Sequence, residues 1–591
     1  MKVVYPRDSK LQLRESQSFG EVVPFKKIVN RPNKCVNDML NGMAKTFPGL
    51  YVDIKSKVVI LPKDNVPDTV AIVTGCGSGH EPFPTGFIGK GMLTAAACGN
   101  IFSCPSVNNC LTAIYNASLV KNKGVLVLVL NHGGDTLNFA LAVESAREMG
   151  IKVDSVIVGD DCAFYKPGVK DTPSRRGLVG ILFVIKIASA LSLQGMDMDN
   201  LKKICMEVVD NMATMGFSTT SCTVPGQQHA LVNIAPDEIN LGVGIHGDCG
   251  IKSIKMTQIP ELVKILLDQI IKSLKIQNGD NVCAIVNALG STIHLEFYAA
   301  VADLESQLRA RRIHLKRIYA GTMMPSLDTG GMQICLLKVT ESNKFWLECL
   351  DAKTEAPFWP GCTYSCGTAN GGFREIVEVT DEATGPEYKA REEKIFRTCL
   401  EVAANKILEN ELKLNELDSV GDGDTGTTMR RFAEGILNDL DTLPFNSPQA
   451  CLVKVARLAS ECMGGTSGGL YSIMLRGAAR EAPDWPKALQ VAIDSLMQYS
   501  PARRGDRTYL DVLLPVSEEL NLHKSGEKWN STLEQALKRA FHGCEETQFM
   551  KALVGRACYT RDVDMIDIDS GAFAALTWIE AIFHELMKYD L

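Results

Sequence analysis

Five glycine-rich stretches in this chain of 591 residues contain side chains that could do chemistry. The first reads GCGSGHEP at residues 75–82 and directly follows a β-rich run. Closely spaced glycines let backbone N–H groups approach a ligand, and His80 could serve there as an acid or base. A dinucleotide fingerprint is excluded, because His80 replaces the third glycine and no acidic residue follows about 20 residues later. A plain tight turn is the alternative.

Two further stretches each hold one candidate residue. NHGGD at residues 131–135 follows the next β-rich run. Asp135 could therefore face the same pocket as His80, or it could cap the following helix. GVGIHGDCG at residues 242–250 holds His246 between glycines in an apolar setting. Burial would keep this imidazole neutral and able to add to a carbonyl, although a structural histidine is the alternative.

The fourth stretch, LDSVGDGDTGTT at residues 417–428, gathers the carboxylates of Asp418, Asp422 and Asp424 in a loop. Such carboxylates repel one another unless a cation offsets them, and Mg²⁺ bridging to phosphates would do so. An EF-hand is excluded, because its sixth and twelfth positions fall on Thr427 and Ala433. Solvated turn acids are the alternative.

The fifth stretch, MGGTSGG at residues 463–469, offers glycine N–H groups and the hydroxyls of Thr466 and Ser467. This combination could cradle a phosphate. It also fits the G-x-S-x-G nucleophile elbow, which requires a preceding strand. Residues 452–462 have helical spacing instead, so a hydrolase is not favoured.

The elements that must position these residues differ between the two halves of the chain. Strand-like runs at residues 69–75, 124–131 and 152–161 alternate with a helical stretch at 135–149, which predicts a largely parallel α/β sheet. A helix at 196–215 and strands at 280–290 and 333–339 predict a second α/β lobe. Residues 180–193 are predicted to form a buried helix, since they are too few to span a bilayer.

The character of the chain changes after a stretch poor in aliphatic residues. We predict an N-terminal extension at 1–24, a two-lobed α/β domain at 25–358, a linker at 359–392 and a second domain at 393–591. No strand-like run appears in the last 190 residues, so the second domain is expected to be all-helical.

Composition narrows the class of protein. A net charge of −7 without a long basic cluster argues against a nucleic-acid partner. Nineteen cysteines without zinc-type spacing, and an N-terminus without an apolar signal segment, indicate reduced thiols in the cytoplasm. No apolar stretch in either half reaches the roughly 20 residues that are needed to span a bilayer.

Taken together, the motifs resemble the dihydroxyacetone kinase family in its single-chain, ATP-using form. Their order is GSGHEP, N-x-x-G-D-x-L-N-F, SRRGL at 174–178, GIHG, GDGDTGT, GGTSG and GDRT at 505–508. Each motif is weak alone, but seven in this order are highly specific. Among members of the family, the animal enzymes are the most similar.

The resemblance implies a triose-binding α/β domain followed by an eight-helix nucleotide domain. It implies that His246 forms a hemiaminal with the ketone of the substrate, that Asp135 acts as base on the attacking hydroxyl, and that His80 binds the substrate and shares that role. Three neighbouring residues would complete the sugar site: Gly77, Ser78 and Gly79.

The resemblance also implies an ATP site and an Mg²⁺ site. The ATP site maps to Asp424, Thr425, Gly426, Thr427, Thr466, Ser467, Ser500, Thr508, Asp569, Ser570 and Gly571. The metal ligands map to Asp418, Asp422 and Asp424. The chain departs from the family pattern at Leu130, where a lysine is usual, at Ser500, where glycine is usual, and in the spacing of Asp418 from Asp422, which is one residue shorter.

The expected activity is ATP-dependent phosphorylation of dihydroxyacetone and glyceraldehyde. The similarity to animal members implies in addition that FAD is cleaved to AMP and cyclic FMN, a reaction that Mn²⁺ or Co²⁺ could support. A homodimer is expected from the family. A triose-binding regulatory protein without transfer activity is the alternative.

Overall fold

The computed structural model describes residues 27–63, 67–169, 175–361, 385–418, 423–554, 558 and 567–589. The chain divides into two compact units, residues 1–374 and 375–591. The predicted extension at 1–24, Ser174, Asp422 and most of the predicted linker lie outside the described residues. The finer domain boundaries therefore stay predictions.

The first sheet of unit 1 is the predicted, largely parallel one. Its six strands lie in the order β1-β2-β4-β3-β5-β6. Strands β4, β3, β5 and β6 run parallel to one another, whereas the β1–β2 and β2–β4 pairs are antiparallel. The strands are β1 Tyr51–Asp53, β2 Val58–Ile60, β3 Ala71–Ser78, β4 Ala95–Ile101, β5 Val125–Leu130 and β6 Val153–Val158. The helices of this part are α1 Cys35–Thr46, α2 Val107–Val120, α3 Gly133–Glu148, α4 Ile181–Leu193 and α5 Met198–Asp210.

Helix α4 is buried, as expected from its apolar sequence. Every residue of it from Ile181 to Ser192 is buried, Lys186 included. The Lys186 ammonium donates to the carbonyls of Cys349 and Ala352 at 2.9 and 2.6 Å. A buried cation is therefore compensated by backbone acceptors.

The second sheet is mixed rather than parallel. Its order is β11-β10-β12-β7-β8-β9, and only the β10–β11 pair is parallel. The strands are β7 Met212–Thr220, β8 Glu238–Leu241, β9 Lys252–Lys255, β10 Asn281–Ala288, β11 His314–Gly321 and β12 Gly330–Val339. The accompanying helices are α6 Ile259–Leu274, α7 His294–Ala310 and α8 Trp346–Asp351.

The helix predicted at residues 196–215 is wrong in its last part. Helix α5 ends at Asp210, and Met212 begins β7, which pairs with β12 on one side and β8 on the other. A short apolar run has the same appearance in a buried strand and in a buried helix, so periodicity could not separate them. Pairing within the sheet decides the outcome.

Unit 2 is all-helical in its described residues, as predicted. Eight of its helices are long, and each packs against the next long helix in chain order. The last of them packs against the first, so the eight helices form a closed ring, and one short helix is added to it. They are α9 Ala390–Glu409, α10 Glu411–Leu417, α11 Thr425–Asp439, α12 Pro448–Leu458, α13 Gly465–Ala479, α14 Trp485–Tyr499, α15 Leu510–Asn521, α16 Trp529–Glu546 and α17 Ser570–Leu586. No helix in the described part of the chain has the length and apolar composition needed to cross a bilayer.

A buried carboxylate joins the two sheets of unit 1. Asp160 is fully buried after β6 and accepts from the backbone N–H groups of Leu178 and Gly180, at 2.6 and 2.8 Å, and from the hydroxyl of Thr214 in β7. The start of α4 and the first strand of the second sheet are thereby attached to the first sheet.

Asp160→Asn is expected to lower the free energy of unfolding by about 2–4 kcal/mol. The amide NH₂ replaces one acceptor oxygen and leaves a buried donor facing another donor. Chemical denaturation measures the change. Asp197→Asn is the matched control, because exposed Asp197 caps α5 and asparagine caps equally well. Equal stability of the two variants would contradict the prediction.

Candidate active site

The residues of the first candidate site lie where two parallel strands end. Strands β3 and β5 are paired neighbours, His80 follows β3, and His132 is the N-cap of α3 after β5. Ligands in open α/β sheets bind at the carboxyl ends of the strands. This arrangement is consistent with the prediction that the motifs at residues 75–82 and 131–135 lie at one edge of the sheet.

The glycines beside His80 allow close packing of the backbone. Gly79 has a φ of +104°, and a Cβ on it would lie 2.9 Å from the ring of Phe102. A Cβ on Gly77 would lie 2.7 Å from the backbone nitrogen of Ser103. The hydroxyl of Ser78 donates to the carbonyl of Gly99 at 2.8 Å. These three residues thus hold the strand-end loop together, and their role in binding a sugar stays a prediction.

Three imidazoles meet at this edge. The ring centroid of His246 lies 4.8 Å from that of His132 and 5.1 Å from that of His80, in edge-to-face geometry. The ring of Phe102 stacks on His80 at 5.3 Å and contacts His246 at 5.4 Å. The fold therefore brings His80 and His246 together, although 165 residues separate them, and adds His132, which sequence reasoning did not select.

Backbone carbonyls fix the protonation of two of these rings. Nδ1 of His80 is 2.9 Å from the carbonyl oxygen of Pro325, and Nε2 of His132 is 2.8 Å from that of Gly177. Since a carbonyl can only accept, each of these nitrogens carries the proton and the other nitrogen is bare. Nε2 of His80 is buried and has no hydrogen-bond partner within the described residues.

Burial keeps the cluster neutral. It lowers the pKa of His80 to about 4 and that of His246 to about 2, with the neighbouring imidazoles and Arg176 adding to the effect on His246. Burial also lowers the pKa of His132. A neutral His246 has a lone pair available at physiological pH, as the sequence predicted.

The loop that carries His246 is held by an ion pair that the sequence reasoning did not assign. Arg176 pairs with Asp248, two residues after His246, and with Asp161 at 2.7 Å. It also donates to the carbonyl of Gly242 at 2.7 Å. The sequence contained a signal for this pair, because Arg176 lies in the SRRGL motif and Asp248 lies in the same glycine-rich motif as His246.

Asp135 is a buried carboxyl in the first turn of α3. Its Oδ1 has no hydrogen-bond partner within the described residues, and burial raises its pKa to about 7. The residue at the helix N-cap is His132, so the alternative role of Asp135 as the cap is wrong. No hydrogen bond within the described chain joins Asp135 to His80 or His246. Its charge is instead felt by the thiols of Cys76, Cys104 and Cys110.

Leu130 ends β5 fully buried in the hydrophobic core, next to Gly177. The side chain at this position thus belongs to the core of the first sheet.

The second candidate site lies in unit 2, at the start of α11. Oδ2 of Asp418 accepts from the backbone N–H groups of Asp424 and Thr425, at 3.0 and 3.2 Å. Asp424 is exposed at the helix N-cap. Asp418 therefore folds back onto the loop, and its shorter spacing still places its carboxylate beside Asp424.

The N-terminus of α17 meets that of α11. The hydroxyls of Thr425 and Ser570 lie 3.4 Å apart, and the carboxylate of Asp569 caps α17 through the N–H of Ala572 at 2.8 Å. Burial raises the pKa of Asp569 to about 6, with a further increase from the charge of Asp418. Helix N-termini with free N–H groups and hydroxyls are suited to bind phosphate.

Asp511 organises the loop before α15, a role not expected from the sequence. It is buried, and its two oxygens accept from the N–H groups of Gly505 and Thr508, at 2.5 and 2.8 Å. The neighbouring Arg507 is buried with a φ of +61° and donates to the carbonyls of Thr547 and Asp567. The GDRT loop is thus attached to the segment before α17.

Other predicted nucleotide residues lie at further helix ends. Thr427 receives a hydrogen bond from Asn415 at 3.2 Å, Thr466 and Ser467 are exposed in the first turn of α13, and Ser500 ends α14. Gly571 lies in the first turn of α17. The structure therefore brings Asp418, Thr425, Asp569 and Ser570 together, whereas it records no contact of Ser500 with them among the described residues.

The carboxylates fit a hard cation, although the predicted metal set is incomplete here. Asp422 lies outside the described residues, and among those described no cluster of three or more His, Cys, Asp or Glu is arranged to hold a metal. Burial, and to a smaller degree the charge of Asp418, raises the pKa of Asp569, and a divalent cation beside these carboxylates would offset the effect of that charge.

Comparison with known proteins assigns a domain family to each half of the chain. A Dak1 domain matches residues 41–358 and a DAK2 domain matches residues 419–584. The chain belongs to the dihydroxyacetone kinase family. A triokinase/FMN cyclase of Homo sapiens is 36% identical over 581 residues, which cover 95% of this chain and 100% of that protein.

Two solved structures of family members are similar to this chain. The dihydroxyacetone kinase from C. freundii in complex with AMP-PNP and Mg²⁺ is 28% identical, with a TM-score of 0.63 and coverage of 95% of this chain and 99% of that one. A dihydroxyacetone kinase operon co-activator is 28% identical, with a TM-score of 0.51, and covers 55% of this chain and 98% of its own.

Asp135→Asn is expected to increase stability more at pH 8 than at pH 5. The pKa of Asp135 is raised in the folded state, so its contribution is full at low pH and is lost as pH rises through about 7. Asparagine cannot ionise and avoids that loss of stability. The loss is at most about 4 kcal/mol, because the pKa rises from 3.8 to about 7 and one pKa unit corresponds to about 1.4 kcal/mol.

Urea denaturation at the two pH values measures this difference. The exposed Asp199→Asn variant in α5 controls for the general effect of pH on the fold. An Asp135→Asn effect of equal size at pH 5 and pH 8 would show that the carboxyl does not titrate between them.

Gly426→Ala is expected to weaken nucleotide binding at least tenfold. A Cβ on Gly426 would overlap the carbonyl oxygen of Glu411, so α10 and α11 must separate and the N-terminus of α11 must shift. The loss is measured as a smaller increase in melting temperature on adding Mg²⁺-ATP. Gly42→Ala in α1, where a Cβ meets nothing within 4 Å, is the matched control. A full ATP-induced shift in Gly426→Ala would refute the assignment.

Proposed function

We propose that this chain phosphorylates dihydroxyacetone and glyceraldehyde with ATP and captures the triose covalently on His246. The observation that carries the proposal is the neutral imidazole of His246, in edge-to-face contact with two other imidazoles that are each held by a backbone carbonyl in a neutral tautomer. The human relative named triokinase/FMN cyclase supports the same activity.

Capture selects the substrate class. The lone pair of a neutral imidazole adds to the carbonyl carbon, the carbonyl π bond becomes an alkoxide, and a proton shift gives the hemiaminal. Glycerol has no carbonyl and is not captured.

The hydroxyl that attacks ATP must lose its proton. A carboxylate whose pKa lies near the working pH is an efficient base, and the pKa of Asp135 is raised to about 7. His80 offers its bare Nε2 as a hydrogen-bond acceptor for the bound triose. These are the roles expected from the family motif, and they remain proposals.

The nucleotide binds in unit 2. The N-termini of α11, α13 and α17 supply N–H groups and hydroxyls for its phosphates, and Asp418, Asp422 and Asp424 would hold Mg²⁺, which neutralises phosphate charge during transfer. The complex of the bacterial relative with AMP-PNP and Mg²⁺ supports this assignment.

FAD cleavage is the second proposed activity. A ribityl hydroxyl of FAD displaces AMP and forms cyclic FMN, a reaction that needs the nucleotide and metal site of unit 2 but not His246. Mg²⁺, Mn²⁺ or Co²⁺ would serve as the cation. The name of the human relative supports this activity.

The protein is proposed to act as a cytoplasmic homodimer. Every cysteine in the described residues is a free thiol, which suits a reducing compartment. The dimer is expected from the family alone.

His246→Ala is expected to abolish triose phosphorylation, by at least 100-fold, and to leave FAD cleavage within twofold of the wild type. The substitution removes the capturing lone pair without touching unit 2. ADP formation with dihydroxyacetone and with glyceraldehyde, and release of cyclic FMN from FAD, are measured on the same preparations. Asp424→Asn is the complementary variant and is expected to lower both activities.

Parallel loss of both activities in His246→Ala would contradict the separation of the two sites. Wild-type protein that forms the histidine adduct but no ADP would instead favour the regulatory alternative. The similar structure of a dihydroxyacetone kinase operon co-activator, which matches 55% of this chain, gives this alternative a precedent.

A further inference from the structure

His132 is an additional imidazole of the capture site, and the inference drawn from it rests on the proposed capture by His246. Of the two imidazoles that contact His246, His132 is the nearer, with ring centroids 4.8 Å apart and planes at 83°. It stands at the N-cap of α3, directly after β5. Its side chain does not cap the helix, so capping does not account for its presence there.

The protonation of His132 is fixed by the fold. Nε2–H donates to the carbonyl of Gly177 at 2.8 Å, which leaves Nδ1 bare. Nδ1 accepts no hydrogen bond within the described residues. His132 is only partly buried, whereas His80 is fully buried.

Hemiaminal formation requires such an acceptor. When one nitrogen of His246 adds to the carbonyl, the ring becomes a cation until its other nitrogen releases a proton. The alkoxide formed from the carbonyl oxygen must gain one proton. A neighbouring base that accepts the first proton and supplies the second balances the step and leaves the base unchanged.

Local charges distinguish the two candidate bases. The carboxylates of Asp248 and Asp161 act on His132 and favour its protonated form, against Arg176 and burial, which oppose it. His80 is fully buried, and the charged form of its ring is opposed by burial and by His132 without a carboxylate that favours it. A transient imidazolium is therefore better tolerated at His132 than at His80.

We propose that His132 is a catalytic residue of triose capture: its Nδ1 takes the proton released by His246 and delivers it to the hemiaminal oxygen. Gly177 holds the ring in the required tautomer throughout. The ion pairs of Arg176 with Asp161 and Asp248 place the compensating carboxylates nearby.

The test uses the full-length protein without ATP and dihydroxyacetone labelled with ¹³C at C2. The adduct appears as a C2 resonance distinct from that of the free ketone, and saturation transfer between the two resonances gives the rate of capture. Wild type, His132→Gln and His229→Gln are compared. Glutamine can retain the hydrogen bond to Gly177 but cannot accept a proton, and His229 is an exposed histidine of the same unit.

In His132→Gln, capture is expected to slow about 100-fold, the usual size of a general-base contribution. The fraction of adduct at equilibrium should stay within twofold of the wild type, because a base changes the rate and not the equilibrium. The wild-type rate should fall at acidic pH, below the usual pKa of a histidine because burial lowers the pKa of His132, and the rate of His132→Gln should not. His229→Gln should match the wild type in both respects.

Each other outcome overturns the inference. A normal capture rate in His132→Gln shows that another group takes the proton, while triose phosphorylation by the wild type stands. Complete loss of the adduct in His132→Gln assigns His132 a structural role. A wild type that forms ADP without any adduct removes the capture step itself and leaves the kinase activity in place.

Discussion

The double ion pair of Arg176 is the interaction on which the first site depends. Arg176 joins Asp161, at the end of the first sheet, to Asp248, in the loop that carries His246. The neighbouring Asp160 attaches the same strand end to α4 and to β7. His80 and His132 belong to the first sheet and His246 to the second. These carboxylates and Arg176 fix the two sheets against each other, and the histidines meet as a result.

Burial sets the protonation states of the groups at this junction and lowers the stability of the fold. It keeps the three imidazoles neutral and raises the pKa of Asp135, so a nucleophile and a base exist together near neutral pH. The same burial leaves Nε2 of His80 and Oδ1 of Asp135 without partners. Unpaired buried polar atoms lower stability, and a bound polyhydroxy ketone would supply the missing partners.

The second site follows a different principle. Some of its carboxylates hold the backbone in place, and others are free to bind a ligand. Asp511 and Asp569 satisfy backbone N–H groups at loop and helix starts, and Asp424 is left exposed at the N-terminus of α11. Asp418 does both, because it accepts from the loop while its charge acts on Asp569. The helix ends attract phosphate, and the carboxylates attract the cation that accompanies it.

Much of this organisation follows from the sequence alone. The order of the glycine-rich motifs identified the family, the apolar runs identified β3, β5 and α4, and the lack of strand patterns identified the helical second unit. The prediction failed at Met212–Thr220, where an apolar run joins a sheet instead of prolonging α5, because the partner strands β8 and β12 lie far along the chain. It also left open that Asp135 caps α3, whereas the cap is His132. The importance of His132, Arg176 and Asp511 appeared only in the folded chain. Residue types and spacing determine which groups are available, whereas long-range contacts decide which lone pairs are bare, which charges are paired and which rings touch.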